Sequence, residues 1–240
     1  IQAAEQSGGG KVYLEYEPKV AAIGAGLDIF KPQGNMVIDM GGGTSDIAIL
    51  SLGDIVSSRS VRMAGDKMNS DIAAYIKNKH GLVIGEHTAE KIKIEIGTAL
   101  HVDNPKTMDV RGRDVASGMP KQIETNENEI EEALHDTLEQ IVNASIAVLE
   151  TVPPELASDI IDRGIMLTGG TSLLHGIDKL FSSRLKVPVV VSEDPLDNVA
   201  KGAGEMLERM QNNQTAPADR GEENADQSKK GGFFSRFFKN

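Results

Sequence analysis

The sequence predicts a layered α/β domain, in which a largely buried sheet is covered by helices. Short apolar runs that are typical of strands alternate with segments of helical periodicity. The strand-like runs are residues 36–38, 47–50, 165–168 and 187–191. The last of these runs is almost continuously apolar, which favours a strand covered on both faces of the sheet. Glycine-rich corners follow two of the runs, at residues 41–43 and 169–170.

The remaining elements follow from apolar spacing and from helix-start and helix-stop signals. We expect a strand at 11–16, a short helix at 20–26 after Pro18, and a strand pair around Ser57-Ser58. Residues 101–125 have the composition of short strands and turns. Apolar residues spaced three and four apart predict helices that open at Gly65, Thr88, Asn126, Gly170 and Pro195. The helix that opens at Asn126 should stop at Pro153-Pro154.

Composition excludes several classes of protein. The 240 residues are 39% hydrophobic and 25% charged, which is typical of a soluble globular protein. The absence of cysteine excludes disulfides, thiol catalysis and cysteine metal sites. A formal net charge of −11 argues against nucleic acid as a partner.

The glycine corner at 41–43 has the form of a phosphate-binding hairpin. Asp39 ends one apolar run, Gly41, Gly42 and Gly43 form the turn, and Thr44 precedes the next run. Glycines allow backbone N–H groups to approach an anion closely, while the carboxylate can face a metal or a water molecule. Alone, the pattern also fits an ordinary β-turn. It lacks the lysine of a P-loop and the following helix of a dinucleotide-binding fold.

The other candidate residues are individually ambiguous. The corner from Gly169 to Ser172 lies between a strand end and a helix start, where α/β proteins bind ligands, but it also fits a tight loop. Glu90 and Lys93 share a helix face, as a surface ion pair would. Glu17 precedes Pro18 and also fits an unremarkable surface carboxylate.

Taken together and in order, these residues resemble the actin-like (ribonuclease H-like) ATPase superfamily, and within it the MreB/Mbl family of rod shape-determining proteins. The similarity extends from about residue 11 to residue 210. The segments that carry the resemblance are residues 16–26, 37–46, 89–93, 111–113, 166–171, 193–196 and 199–202.

The resemblance implies a role for each matching position. Asp39, with Gly41, Gly42, Gly43 and Thr44, corresponds to the motif that holds the β- and γ-phosphates and, through water, Mg²⁺. Glu17 corresponds to the residue that orients the attacking water. The ligands implied are ATP and Mg²⁺. The segment Glu90, Lys91, Ile92 and Lys93 corresponds to the part along the ribose and adenine, and Gly169, Gly170, Thr171 and Ser172 correspond to the adenosine motif.

One family motif is absent from this sequence. The family carries an earlier Asp-x-Gly-Thr hairpin on the opposite side of the cleft, so we expect an N-terminally truncated fragment that hydrolyses ATP negligibly. The resemblance implies a remnant of the first domain at 1–32, the second domain at 33–198 with a smaller subdomain at about 67–130, and a connecting helix at 199–210. The polar composition of 211–230 predicts a disordered linker, which leaves a tip at 231–240.

The C-terminal tip predicts a membrane contact. Phe233, Phe234, Phe237 and Phe238 would share one side of a helix, with Arg236 and Lys239 on the other side. A helix with aromatic side chains on one side and basic side chains on the other is typical of an anchor that lies in the membrane interface. Docking of the tip on a protein groove is the alternative.

The function that follows from the resemblance is an ATP-dependent, membrane-associated filament protein. It would organise cell-wall synthesis and so determine rod shape. The expected partners are other copies of itself, the inner face of the cytoplasmic membrane and cell-wall elongation proteins, with no nucleic acid, and the expected location is cytoplasmic and peripheral to that membrane. The alternatives are a metabolic kinase of the same fold or a chaperone-type ATPase.

Overall fold

A computed structural model describes residues 2–8 and 12–211 of the chain. The chain divides into two compact units, of which the larger is Tyr16–Glu208 and the smaller is formed by the flanking residues. In the smaller unit, α1 is a helix over Gln2–Gln6. The predicted linker after Gln211 and the predicted tip at 231–240 lie outside the described residues.

The larger unit contains eight strands among the residues described. They are β1 (Asn35–Met40), β2 (Ser45–Ser51), β3 (Asp54–Val61), β4 (Leu82–Val83), β5 (Thr107–Asp114), β6 (Pro120–Asn126), β7 (Ile165–Thr168) and β8 (Val189–Val191). The helices are α2 (Glu17–Gly24), α3 (Gly65–His80), α4 (Glu86–Ile96), α5 (Glu127–Leu149), α6 (Pro154–Arg163), a 3₁₀ helix at Gly170–Leu173, α7 (Ile177–Leu185) and α8 (Asn198–Gln211), the last of which continues beyond residue 208.

The main sheet brings the two glycine corners to the same edge. Within the described residues it has five strands in the order β3-β2-β1-β7-β8. β1 pairs antiparallel with β2 and parallel with β7, so that Asp39 lies opposite both Asp46 and Thr168. Because the carboxyl ends of neighbouring parallel strands meet at one edge, the corners that follow β1 and β7 are neighbours.

The two faces of the main sheet are both covered, as the apolar runs predict. Met36, Ile38 and Met40 of β1 belong to the larger core cluster, which also contains buried residues of α3, α5 and α7. Val37 belongs to a smaller cluster on the other face, where Ile23 of α2 packs. Alternation along β1 therefore divides its side chains between two apolar layers.

A second, smaller sheet is connected to the main sheet by two long helices. Its described strands have the order β4-β5-β6 and pair antiparallel. α3 leads from the main sheet to this second sheet, and α5 leads back. The Asn126 side chain accepts hydrogen bonds from the backbone N–H groups of Asn128 (3.1 Å) and Glu129 (3.2 Å), which confirms the predicted cap of α5.

Side-chain hydrogen bonds join α3 and α5 along their length. The Thr137 hydroxyl donates to the Asp71 carboxylate at 2.6 Å. Nearer the second sheet, the His80 ring lies 2.7 Å from the Glu129 carboxylate. Asp71 precedes His80 in α3, whereas their partners Thr137 and Glu129 occur in the reverse order in α5. The two helices are therefore antiparallel.

Several predicted elements differ from the structure. Residues 12–16 have no regular secondary structure, so the predicted strand at 11–16 is wrong for the described part, and Glu17 begins a helix instead of ending a strand. The predicted strand pair around Ser57-Ser58 is a single strand, β3, because its pairing with β2 continues from Asp54 to Val61 with one irregularity at Val56. α6, which follows the predicted stop at Pro153-Pro154, was not expected from the sequence.

Helix α8 buries a different face from the one that its apolar spacing predicts. The predicted buried residues are Leu196, Val199, Ala203, Leu207 and Met210. Leu196, which precedes the helix, is 71% exposed, and Leu207 is 51% exposed. The face against α2 instead carries Asn198 and Gly202, which are both buried. An ideal β-carbon at Gly202 would lie 1.9 Å from the carbonyl oxygen of Val20. The two helix backbones are too close for large apolar side chains, which is why the buried face is small and polar.

We predict opposite effects from two glycine substitutions in α8. Gly202→Ala should lower the free energy of unfolding by about 3 kcal/mol, because its methyl group overlaps the backbone of α2. Gly204→Ala is the matched control, since no atom lies within 4 Å of its added β-carbon. It should raise stability by about 0.5–1 kcal/mol through helix propensity and reduced unfolded-state entropy. Urea unfolding measures both, and equal effects would contradict the close packing of the two helices.

Candidate functional site

The hairpin between β1 and β2 forms one side of the candidate site. The backbone N–H of Gly41 donates to the carbonyl of Thr44 at 3.0 Å, which closes the turn. The Thr44 hydroxyl donates to the Asp46 carboxylate at 2.8 Å. Gly42 and Gly43 are exposed at the turn, so their backbone groups are accessible to a ligand.

The second corner is in direct contact with this hairpin. The Thr171 hydroxyl donates to the carbonyl of Gly41 at 2.9 Å. Gly169 has φ +81°, and an ideal β-carbon there would lie 2.4 Å from the carbonyl oxygen of Met40 and 2.6 Å from Asp39 Oδ1. Only glycine satisfies both the positive φ and the close approach. The Ser172 hydroxyl donates to the carbonyl of Gly169 at 2.7 Å and so stabilises the corner.

The start of α3 forms a third side of the site, and the sequence analysis did not assign it there. The backbone N–H groups of Gly65 and Asp66 donate to the carbonyls of Gly41 and Gly42, at 3.2 and 2.8 Å. The ammonium group of Lys93 donates to the carbonyl of Gly65 at 3.0 Å. The signal that could have identified this side is the Gly65-Asp66 helix start, since helix N-termini favour anions.

Asp39 is the most perturbed acid of the site. It is 5% exposed. Burial raises the pKa of its carboxyl group to about 6, and the negative charges of Glu17 and Asp46 contribute to the increase. Ionised Asp39 is therefore poorly stabilised by its own surroundings, and a cation held near it would relieve this electrostatic cost.

Lys93 provides positive charge close to the contact between the two corners. An ideal β-carbon at Gly65 would lie 3.2 Å from Lys93 Nζ, 3.3 Å from the Thr171 hydroxyl oxygen and 3.4 Å from the Gly41 carbonyl oxygen. Burial lowers the pKa of its ammonium group, while the nearby carboxylates of Glu90 and Asp66 act in the other direction. A partly desolvated cation beside the two corners is suited to an anionic ligand.

The other predicted site residues are placed less centrally. Glu17 is exposed at the first residue of α2, close enough to Asp39 to affect its charge. Glu90 is exposed on α4. The Lys91 ammonium group pairs with Glu95 at 3.6 Å, and the side chain of Ile92 is fully buried in the core. Gly170 is exposed beside Leu196, whose Cδ2 would lie 3.1 Å from an added β-carbon.

The structure brings together Asp39, the hairpin glycines, Lys93 and the corner from Gly169 to Ser172. Their roles in ligand binding stay predictions. Among residues 2–8 and 12–211, no three acidic or histidine side chains cluster closely enough to hold a metal ion directly. In the same ranges, no helix has both the length and the apolar composition to cross a bilayer. The predicted membrane residues Phe233, Phe234, Arg236, Phe237, Phe238 and Lys239 lie outside the described residues.

Comparison with known proteins identifies the family. The family model for the MreB/Mbl protein matches residues 1–215 of this chain. The chain is 56% identical over 209 residues to the cell shape-determining protein Mbl of Bacillus subtilis, covering 87% of this chain and 63% of that protein. It is 48% identical over 207 residues to the cell shape-determining protein MreB of Escherichia coli, covering 86% and 60%.

A solved structure gives the same result for the fold. MreB5 of Spiroplasma citri bound to AMPPNP is 40% identical, has a TM-score of 0.85, and is matched over 88% of this chain and 64% of its own. The chain thus spans about three fifths of the length of these relatives. On the family match, the sequence identities and the structural similarity, the chain belongs to the MreB/Mbl family and has the actin-like fold.

Proposed function

We propose that this chain carries much of the nucleotide site of an actin-like filament protein that determines rod cell shape. The observation that carries the proposal is the contact between the two corners, where the Thr171 hydroxyl binds the Gly41 carbonyl next to buried Asp39. Its family relatives are named cell shape-determining proteins, and its Spiroplasma relative was solved with AMPPNP and with ADP.

ATP phosphates would bind at the hairpin and the adjacent start of α3. The exposed backbone of Gly42 and Gly43 gives close access, and the N-terminus of a 16-residue helix adds partial positive charge. The Thr44 hydroxyl lies at the same turn. Asp39 would hold Mg²⁺ through water, and the ion would neutralise phosphate charge. Neither the phosphate contacts nor a water-mediated Mg²⁺ contact requires several protein side chains to bind the metal ion directly.

The remaining residues would position the nucleoside and the water. Gly169, Gly170, Thr171 and Ser172 would contact the adenosine, with Glu90 to Lys93 along the ribose and adenine. Glu17 would orient the attacking water, since phosphoryl transfer depends mainly on positioning and charge neutralisation.

The nucleotide would control assembly. ATP binding would favour contacts between copies of the protein, and hydrolysis would weaken them. The filament would lie at the inner face of the cytoplasmic membrane, where it would organise cell-wall elongation proteins. The aromatic and basic tip at 231–240 would add lipid affinity, which polymerisation multiplies through avidity.

Sedimentation separates this function from that of a kinase. We expect the intact protein to pellet with Mg²⁺ and ATP at a higher fraction than with no nucleotide. A Gly169→Ala variant should lose this nucleotide dependence, because its methyl group would overlap Asp39 and Met40. Gly85→Ala, with no atom within 4 Å of its added β-carbon, is the control. Pelleting that is independent of nucleotide would contradict the proposal.

Asp39→Asn should stabilise the chain but weaken nucleotide binding. The folded-state pKa of about 6 lies above the ordinary value of 3.8, so the folded state binds more protons between those values. Stability therefore falls as pH rises from about 4 to about 6, and the full cost of ionising buried Asp39 remains above that. The variant should gain up to about 3 kcal/mol at neutral pH, and the gain should vanish near pH 4.

The same variant should lose the Mg²⁺-dependent part of ATP affinity. For the unsubstituted chain, that part should fall as pH drops through about 6, while Asp39→Asn shows no such change. Titration of a fluorescent ATP analogue with and without Mg²⁺ measures both. Asp109→Asn, at an exposed position on β5, is the control. If the Asp39→Asn variant keeps the Mg²⁺ dependence of ATP binding, Asp39 does not hold Mg²⁺ as proposed.

Replacement of Phe233, Phe234, Phe237 and Phe238 by serine should abolish binding to vesicles that contain anionic phospholipid. Each buried phenylalanine contributes at most about 1.5–3 kcal/mol. Each basic residue near anionic lipid adds about 1 kcal/mol, so vesicles of neutral lipid should bind the unsubstituted chain more weakly. Vesicle flotation measures the bound fraction, and unchanged flotation of the variant would refute the anchor.

A further inference from the structure

A groove between β3 and α5 lies outside the proposed nucleotide site. It has a volume of about 390 Å³. We call it the arginine groove, and its lining includes Arg59, Val61, Arg62 and Met63 on one side and Gln140 and Asn143 on the other. Nothing in the proposed nucleotide chemistry uses these side chains.

The two arginines of the groove are exposed and unpaired. Neither the Arg59 nor the Arg62 side chain makes a hydrogen bond or ion pair within residues 2–8 and 12–211, whereas the Arg163 side chain binds Gln33 and the Arg184 side chain binds Glu139. Two unpaired guanidinium groups next to each other stand out in a chain with net charge −11. They provide charge complementarity to an acidic ligand.

The rest of the groove suits a peptide better than a small anion. Val61 and Met63 are half-buried and pack against the core, so they give the groove an apolar floor. The exposed amides of Gln140 and Asn143 can both donate and accept hydrogen bonds, as a peptide backbone requires. Among the described strands, β3 is also the outermost one of the main sheet, so one side of its backbone has no partner strand within residues 12–211.

We propose that the arginine groove binds an extended, acidic segment of a partner protein. Carboxylates of the segment would pair with Arg59 and Arg62, an apolar side chain would contact Val61 and Met63, and the amides of α5 would bind the segment's backbone. This goes beyond the proposed nucleotide function and does not depend on it. Such recognition along a sheet edge combines backbone hydrogen bonds with side-chain specificity.

The test uses the full chain and two fluorescent peptides of about ten residues. One alternates glutamate with leucine, and the other has glutamine in place of glutamate. We expect binding of the acidic peptide, weakening as salt is added, and at least about tenfold weaker binding of the neutral peptide. No binding of the acidic peptide, or equal binding of both peptides, would overturn the proposal.

Substitutions locate the binding surface. Arg59→Gln combined with Arg62→Gln should weaken acidic-peptide binding at least about tenfold, because both charge-assisted contacts are lost. Arg111→Gln combined with Arg113→Gln, at exposed positions on β5, should leave it unchanged. Equal weakening by both double variants would show non-specific attraction and overturn the proposal. Circular dichroism confirms folding, which exposed substitutions should preserve.

A further variant tests whether the chain supplies its own occupant. Residues 219–226 contain Asp219, Glu222, Glu223 and Asp226. We expect amide replacement of these four acids to leave peptide affinity unchanged. A large gain in affinity would show that the chain's own acidic segment fills the groove, which would overturn a partner protein as the occupant.

Discussion

The approach of Gly169 to the end of β1 is the constraint on which the candidate site depends. A side chain at this position would overlap Met40 and Asp39. Without one, the corner after β7 lies directly against the corner after β1, and the Thr171 hydroxyl reaches the Gly41 carbonyl. The same approach contributes to the burial of Asp39. The geometry and the electrostatics of the site therefore share one cause, the missing β-carbon at Gly169.

A second close contact between backbones, in the helix pair α2 and α8, also depends on glycine. Gly24 and Gly202 allow α2 and α8 to pack with their backbones in contact. Asn198, which is buried beside this contact, links it to Thr168 at the end of β7. The helix pair is thereby connected to the strand that leads into the Gly169 corner. Both contacts replace apolar side-chain burial with close backbone packing, which is sensitive to any added atom.

The sequence predicted the features that depend on local pattern. The strands β1, β2 and β7, the hairpin glycines and the Asn126 cap follow from short apolar runs and from turn and cap residues. The features that it did not predict are set by tertiary contacts. The exposure of Leu196 and Leu207 depends on how closely α8 approaches α2, and the contribution of Gly65 depends on where α3 begins in space. Likewise, helical spacing predicts that Glu90 and Lys93 share a face, but it does not reveal that Lys93 reaches the Gly65 carbonyl.

The position of α3 has a consequence for how the molecule changes shape. Its first two residues are hydrogen-bonded to the hairpin at Gly41 and Gly42, while the carbonyl of Gly81, directly after its last turn, accepts a hydrogen bond from the backbone N–H of Val115, the residue that follows β5 of the second sheet. A helix of 16 residues is about 24 Å long. A small tilt at the hairpin would therefore be magnified over that distance, as by a lever arm. The second sheet would then move further than the hairpin itself, so a displacement of the hairpin by a fraction of an ångström would shift a whole surface.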